Sequence, residues 1–227
     1  MELAGILFDL DNTLVDRPAS LVRYATLFAE EFADQLGEIP QDMLTQVIQQ
    51  TDGGGYTLKE DMLQELLSLL PWHDPPSLSW LRDHWYTHST DCATPMDGLV
   101  EMLDGLSQRA LRLGIVTNGT TTGQNRKIDL LGLRPYMDCI VISESAGYKK
   151  PDRRIFEQAL NGLALSAAAT GYVGDHPIND ILGSAAAGLT SIWLRGSHPW
   201  PVQGIEPVLQ IGGLAELVPL LDDETES

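Results

Sequence analysis

Residues able to do chemistry gather in four short segments of the chain. In Asp9-Leu10-Asp11-Asn12-Thr13 two carboxylates stand two residues apart. Past the end of an extended run they face one crevice while Leu10 points elsewhere. Close carboxylates repel, so one keeps a proton unless a cation joins them, which is how acid/base and metal sites are made. A strand-end turn with Asp11 and Thr13 as its caps is the plainer use of the same residues. Thr117-Asn118-Gly119 brings a hydroxyl, an amide and a glycine-freed backbone, all donors to an anion, although a helix cap looks the same. Lys149-Lys150-Pro151-Asp152 places lysine, a compact point charge suited to phosphate, in a chain with very few lysines. An exposed helix start, with Pro151 and Asp152 in its first turn, needs no more than this. Gly174-Asp175 through Asn179-Asp180 supplies two further carboxylates, which a loop and its helix cap would also explain.

Together the four segments describe a site of several carboxylates, one lysine and small neutral donors. Hard oxygen ligands of this kind select Mg²⁺ over zinc. Metal, lysine and neutral donors would hold a phosphoryl group, leaving one carboxylate to attack it and another to move protons.

Each segment follows an apolar run. Ala4 to Phe8, Leu113 to Val116, Cys139 to Ile142, Tyr172 to Gly174 and Thr190 to Leu194 read as strands buried on both faces, the mark of a parallel sheet covered by helices. Helical stretches at about 98–111, 122–132, 151–163 and 178–188 alternate with them, which predicts βαβ units in a doubly wound, Rossmann-like α/β sheet. Ligands bind at the carboxyl ends of such strands, where all four segments fall. From Asp16 to about Met96 no strand is expected. Leu21, Val22, Ala25, Phe28, Ala29, Phe32 and Leu36 recur at helical spacing, as do Leu58, Met62, Leu63, Leu66, Leu67 and Leu70. Gly53-Gly54-Gly55 and the Pro71–Pro76 stretch punctuate this interval into about four helices. The expected organisation is a core domain of residues 1–16 and 96–227 with an all-helical domain, residues 17–95, inserted in it. The tail from Asp222 to Ser227 reads as a solvated, frayed end.

The 227 residues are 43% apolar and 20% charged, enough apolar material for a core and too little charge for a disordered chain. A net charge of −18 repels nucleic-acid phosphates and anionic lipid, so neither is expected as a partner. Cys92 and Cys139 fit no metal or redox spacing, and no apolar run approaches a membrane span. These features suggest a cytoplasmic protein.

In order, the four segments match the motifs of the haloacid dehalogenase-like (HAD) superfamily, and the resemblance runs from residue 4 to about 196. The long insert after the first motif resembles the helical cap of the branch that contains phosphoglycolate phosphatases, 5′-nucleotidases, β-phosphoglucomutases and the dehalogenases. The resemblance implies that Asp9 is the nucleophile and a Mg²⁺ ligand. Asp11 would be the general acid/base, with its backbone carbonyl on the metal. Thr117 and Asn118 would bind the transferring phosphoryl group, Lys150 would bridge Asp9 and the phosphoryl oxygens, and Asp175 would be a metal ligand. Asp180 would reach the metal through water or directly. Lys149 is a poorer match, because the family's lysine directly precedes the proline. Arg153-Arg154 stand where this branch often has a proline, a departure on the following helix.

What the resemblance implies is a Mg²⁺-dependent phosphatase for a small phosphorylated metabolite, working through an aspartyl-phosphate as monomer or homodimer. A phosphoglucomutase-like transferase shares that intermediate. A 2-haloacid dehalogenase is disfavoured by Asp11, which the dehalogenases lack. A silent HAD-like binding module would not need all the motif residues. The cap would choose the substrate. Its Trp72, Trp80, Trp85, Tyr86, His73, His84 and His88 read as core more than as a base-stacking surface, and Arg17 and Arg23 are candidate anion contacts.

Overall fold

The computed structural model describes residues 3–196, 199–200 and 209–223. Six strands, β1 (Gly5–Phe8), β2 (Arg112–Thr117), β3 (Cys139–Ile142), β4 (Thr170–Gly174), β5 (Thr190–Leu194) and β6 (Leu209–Ile211), form one sheet in the order β3-β2-β1-β4-β5-β6. Every neighbouring pair is parallel. Gly5 is in register with Arg112 on one side and Thr170 on the other, so β1 is central and the strand order reverses beside it. All residues of β1 and β4 are buried, which is why Gly5–Phe8 and Tyr172–Gly174 read as apolar runs.

Among the described residues the α-helices are α1 (Arg17–Glu31), α2 (Gln41–Asp52), α3 (Lys59–Leu69), α4 (Leu78–His88), α5 (Leu99–Ser107), α6 (Thr121–Leu130), the one-turn α7 (Ser143–Ala146), α8 (Arg153–Leu163), the short α9 (Gly183–Ala186) and α10 (Leu217–Asp223). The chain divides into two compact units, one of the residues up to Val15 and from Pro95 onward, the other Asp16–Thr94.

In the α/β unit, α8 shows how sequence sets packing. The Asp152 side chain caps it by accepting from the Arg154 N–H at 3.0 Å, and Ala164, in the left-handed region, ends it. Ile155, Phe156, Ala159, Leu160 and Leu163 make one buried stripe, which joins Leu7, Val116, Val141 and Tyr172 of the sheet in a single core. The carboxylate of Asp222, expected in a frayed end, instead sits in α10 and pairs with Arg109 at 2.5 Å. Glu224–Ser227 lie outside the described residues.

The helical unit holds α1 to α4 around Tyr24, Phe28, Phe32, Leu44, Ile48, Met62, Leu66, Leu81 and Trp85. Asp16 caps α1 through the Ala19 N–H at 2.8 Å, and its own N–H reaches the Thr94 carbonyl at 2.9 Å, so the two ends of the unit meet. Of the aromatic and histidine residues in its last third, Trp85 and His84 are buried and Trp72 packs on the core, while Trp80 and Tyr86 are half-exposed. Gly53, in the left-handed conformation at φ 55°, terminates α2 directly after Asp52. Asp52 is completely buried, and its partner is Arg17, one of the candidate anion contacts. Arg17 donates Nε and Nη2 to the two Asp52 oxygens at 2.7 and 2.6 Å, and Lys59 Nζ adds a third bond at 2.9 Å. A buried carboxylate is costly unless paired, and here it claims the Arg17 guanidinium. Arg23 donates to the Ala93 carbonyl at 3.2 Å.

Candidate active site

The carboxyl ends of β1 and β4, adjacent in the sheet, deliver Asp9 and Asp175, each directly after the last strand residue. Both are buried, as is Asp180, and one oxygen from each of the three lies within 4.8 Å of the others. Asp180 is brought in by a π-helical turn, Pro177–Leu182, that His176 caps by accepting from the Ile178 and Asn179 N–H groups. Asp180 Oδ2 accepts the His176 N–H at 3.0 Å, folding the carboxylate back toward the strand. A Cβ on Gly174 would lie 2.6 Å from Asp180 Cγ, so only glycine lets the strand end approach this side chain.

Lys150 provides the cation. Its Nζ donates to Asp9 Oδ1 at 2.5 Å, Asp180 Oδ1 at 2.6 Å and the Tyr172 hydroxyl at 2.9 Å. Lys149, its neighbour, is exposed. Asn118 fixes the lysine's backbone from both sides. Its Oδ1 accepts the Lys150 N–H at 2.8 Å, and its Nδ2 donates to the Lys150 carbonyl at 3.1 Å. Thr117, buried at the end of β2, accepts from Gln124 Nε2 at 2.6 Å.

Asp11 is drawn to a different set of partners. Lys127 Nζ donates to its two oxygens at 2.6 and 2.8 Å, and Gln124 Nε2 adds a bond to Oδ2 at 3.0 Å. Between Asp11 and the helical unit the chain turns through Asn12, whose left-handed φ of 61° an asparagine tolerates well. The Thr13 hydroxyl lies 3.4 Å from Asp9 Oδ2.

Three carboxylates around one ammonium leave an excess of negative charge in a dry site. Burial, reinforced by Asp180 and Asp11 and opposed by Lys150, pushes the Asp9 carboxyl up to about 7. Burial and the charges of Asp9 and Asp180 push Asp175 up to about 9 against the pull of Lys150. For Lys150 burial works downward, but Asp180 and Asp9 outweigh it and hold the ammonium above its ordinary value. Burial raises the Tyr172 phenol well above its ordinary value, so it stays protonated. Its hydroxyl lies 3.1 Å from both the Val116 carbonyl and Asp180 Oδ1. The all-oxygen donor set, with protons held where a cation would discharge the cluster, fits a hard divalent ion.

Sequence reasoning missed Tyr172, Gln124 and Lys127. Two signals could have found them. Tyr172 is the one aromatic ring in a wholly buried strand, and a buried hydroxyl calls for a partner. Lys127 is one of only four lysines in the chain.

The family description of haloacid dehalogenase-like hydrolases matches residues 6–194. The chain belongs to that family of enzymes. It is 35% identical to the pyrimidine 5′-nucleotidase YjjG of Escherichia coli in a match covering 62% of this chain and 63% of that protein, so the matched part spans less than two thirds of that relative. It is 29% identical to the phosphoglycolate phosphatase of Agrobacterium fabrum over 97% of this chain and 93% of that one. The HAD-hydrolase YfnB of Bacillus subtilis, solved bound to magnesium, has the same fold, with a TM-score of 0.79 at 24% identity over 98% of this chain and 100% of that one.

Proposed function

We propose that the chain is a Mg²⁺-dependent phosphatase that hydrolyses a small phosphate monoester through an aspartyl-phosphate on Asp9. The observation that carries this reading is the charge imbalance at the strand ends. Asp9 and Asp180 share the buried ammonium of Lys150 beside Asp175, and Asp9 and Asp175 hold protons well above the ordinary carboxylate range. Such a cluster is completed by a cation and then receives an anion. The relatives named as a nucleotidase and as a phosphoglycolate phosphatase support phosphate esters as the substrate class.

Asp9, Asp175 and Asp180 would hold the ion, which supplies charge neutralisation and polarises the phosphoryl group. Asp9 then attacks phosphorus as the nucleophile. Lys150, already on Asp9 Oδ1, offsets charge on the attacking carboxylate and the phosphoryl oxygens. The Thr117 hydroxyl donates to the phosphoryl group. The Asn118 side chain is committed to the Lys150 backbone, so its service is to position that lysine. Asp11 protonates the leaving oxygen and later takes a proton from the attacking water. Lys127 and Gln124 hold its carboxylate, and that service begins with release from Lys127. A phosphoryl acceptor other than water would make the same machinery a transferase. Asp11 speaks against dehalogenation, which needs no such acid.

The deciding experiment is a screen of nucleotides, sugar phosphates, phosphoglycolate and halogenated acids, with Mg²⁺ and with excess chelator. Phosphate release from an ester only when Mg²⁺ is present is expected. Full turnover in chelator, or release of halide alone, overturns the reading. Asp11→Asn sharpens it with p-nitrophenyl phosphate, whose leaving group needs little protonation. That variant should give a burst of nitrophenol near one equivalent per site and then stall, because a general base of this kind contributes about 10²–10⁴-fold to the second step.

A further inference from the structure

Away from the strand ends, one other set of metal-ligating side chains converges among the described residues. Glu31, His84 and His88 each place one donor atom within 4.8 Å of the others. His84 and His88 are four residues apart on α4 and share a face, and Glu31 is the last residue of α1. Glu31 Oε2 is 2.7 Å from His84 Nε2 and 3.9 Å from His88 Nε2. Ligands about 2.0–2.1 Å from a tetrahedral ion stand about 3.3 Å apart, a value between these two separations. Small side-chain rotations therefore suffice to bring the donors into place.

His84 is also held as a ligating histidine needs to be. Its second nitrogen, Nδ1, lies 2.9 Å from the hydroxyl of the fully buried Tyr24. Trp80 stacks on the ring, and Phe32 meets it at an angle. A bond to the far nitrogen fixes ring orientation and directs the other nitrogen at an ion. Two hydrogen bonds would satisfy a buried histidine without any metal, but that account gives no role to His88, which aims at the same oxygen.

We propose that Glu31, His84 and His88 form a second metal site, on the helical unit, for a divalent transition ion of the zinc class with its fourth position left to water. Two imidazoles and one carboxylate suit such an ion, and Mg²⁺, which prefers oxygen, does not compete for it. Glu31 and His88 are part-exposed, so the ion enters from solvent. It ties the last turn of α1 to the last turn of α4.

The test uses the full chain, stripped of metal and then held in excess Mg²⁺ so that the strand-end carboxylates are occupied. Zinc is counted by equilibrium dialysis, and Co²⁺ is titrated as a coloured probe whose visible absorption reports nitrogen ligation. One zinc per chain is expected, retained in Asp175→Asn and in Asp9→Asn. His88→Ala and Glu31→Gln, both at part-exposed positions, should lose it while keeping the far-ultraviolet spectrum of the parent. Tyr24→Phe should weaken it about tenfold, as loss of an outer hydrogen-bond partner does. Zinc retained by His88→Ala and Glu31→Gln overturns the proposal. So does zinc lost in Asp175→Asn alone, or no zinc bound by the parent at micromolar concentration.

Discussion

Asp9 and Asp52 are both buried carboxylates bonded to a lysine, one in each unit, and their proton affinities move in opposite directions. Burial alone would push both up. At Asp52 the Arg17 guanidinium and the Lys59 ammonium outweigh it and hold the carboxyl below its ordinary value. At Asp9 one lysine is shared with Asp180, and the group rises to about 7. The difference is the ratio of cations to carboxylates, two on one in the helical unit and one among three at the strand ends. A balanced cluster is finished and locks helices together. An unbalanced one is left for a ligand to complete. Burial and ion pairing therefore do not mark an active site by themselves; uncompensated charge does.

The sharpest way to break this comparison is to remove one carboxylate from each cluster. Asp9→Asn should abolish phosphate release, on the order of 10⁴-fold or more, because it removes the proposed nucleophile. Its melting temperature in metal-free buffer should stay level or rise, since one surplus charge is relieved. Steady-state kinetics and calorimetry check the two halves. Asp52→Asn should do the reverse to stability, costing about 3 kcal/mol in denaturant titration because Arg17 and Lys59 lose their shared partner. An Asp52→Asn protein as stable as the parent would end the contrast.

Lys150→Ala comes next, with a loss of roughly a hundredfold or more in kcat/KM, while the exposed Lys149→Ala should change little. Equal losses would mean that the wrong lysine has been placed on Asp9.

The smallest effect is in pH dependence. Asp9 and Asp175 sit above the ordinary 3.8, at about 7 and about 9, so across that range the folded, metal-free chain keeps protons that the unfolded chain has lost. Stability should therefore fall as pH rises between about pH 4 and pH 9. Asp52 has the opposite sign, with its contribution present above 3.8 and lost as pH falls through its depressed value. Melting temperatures without metal should drop from about pH 6 to about pH 9, and Mg²⁺ should restore more at the alkaline end, where it displaces fewer protons. A flat profile in the Asp9→Asn, Asp175→Asn double variant would tie the slope to these groups.

Much of the sheet, and which side chains gather at its strand ends, could be read from the sequence for one physical reason. Strands buried on both faces are continuous apolar runs, and the polar residue that ends each run is where ligands bind. β6 was not legible, because Leu209–Ile211 is a three-residue strand with an exposed Gln210 at its middle. The partners of Asp11 were not legible either. Lys127 is 116 residues away, and only the folded sheet brings α6 to the first strand's loop. The pairing of Arg17 with Asp52 was not legible, because nothing local announces that Asp52, at the end of a polar-looking helix, is completely buried. Asn118 was identified as a site residue, but its two bonds to the Lys150 backbone are a matter of tertiary packing.

The hydrogen bond between Asp16 and Thr94 has a consequence for how the chain finds its sheet. Gly5 of β1 must pair with Arg112 of β2 across the whole helical insertion. A folded insertion whose ends touch shortens that search from roughly a hundred residues of flexible chain to roughly thirty, close to two doublings, which saves about 1.2 kcal/mol of loop-closure entropy. The helical unit thus serves the central strand as a clasp during folding. Weakening it through Asp52→Asn should slow refolding of the sheet as well as lower stability, and stopped-flow refolding of that variant would show the delay.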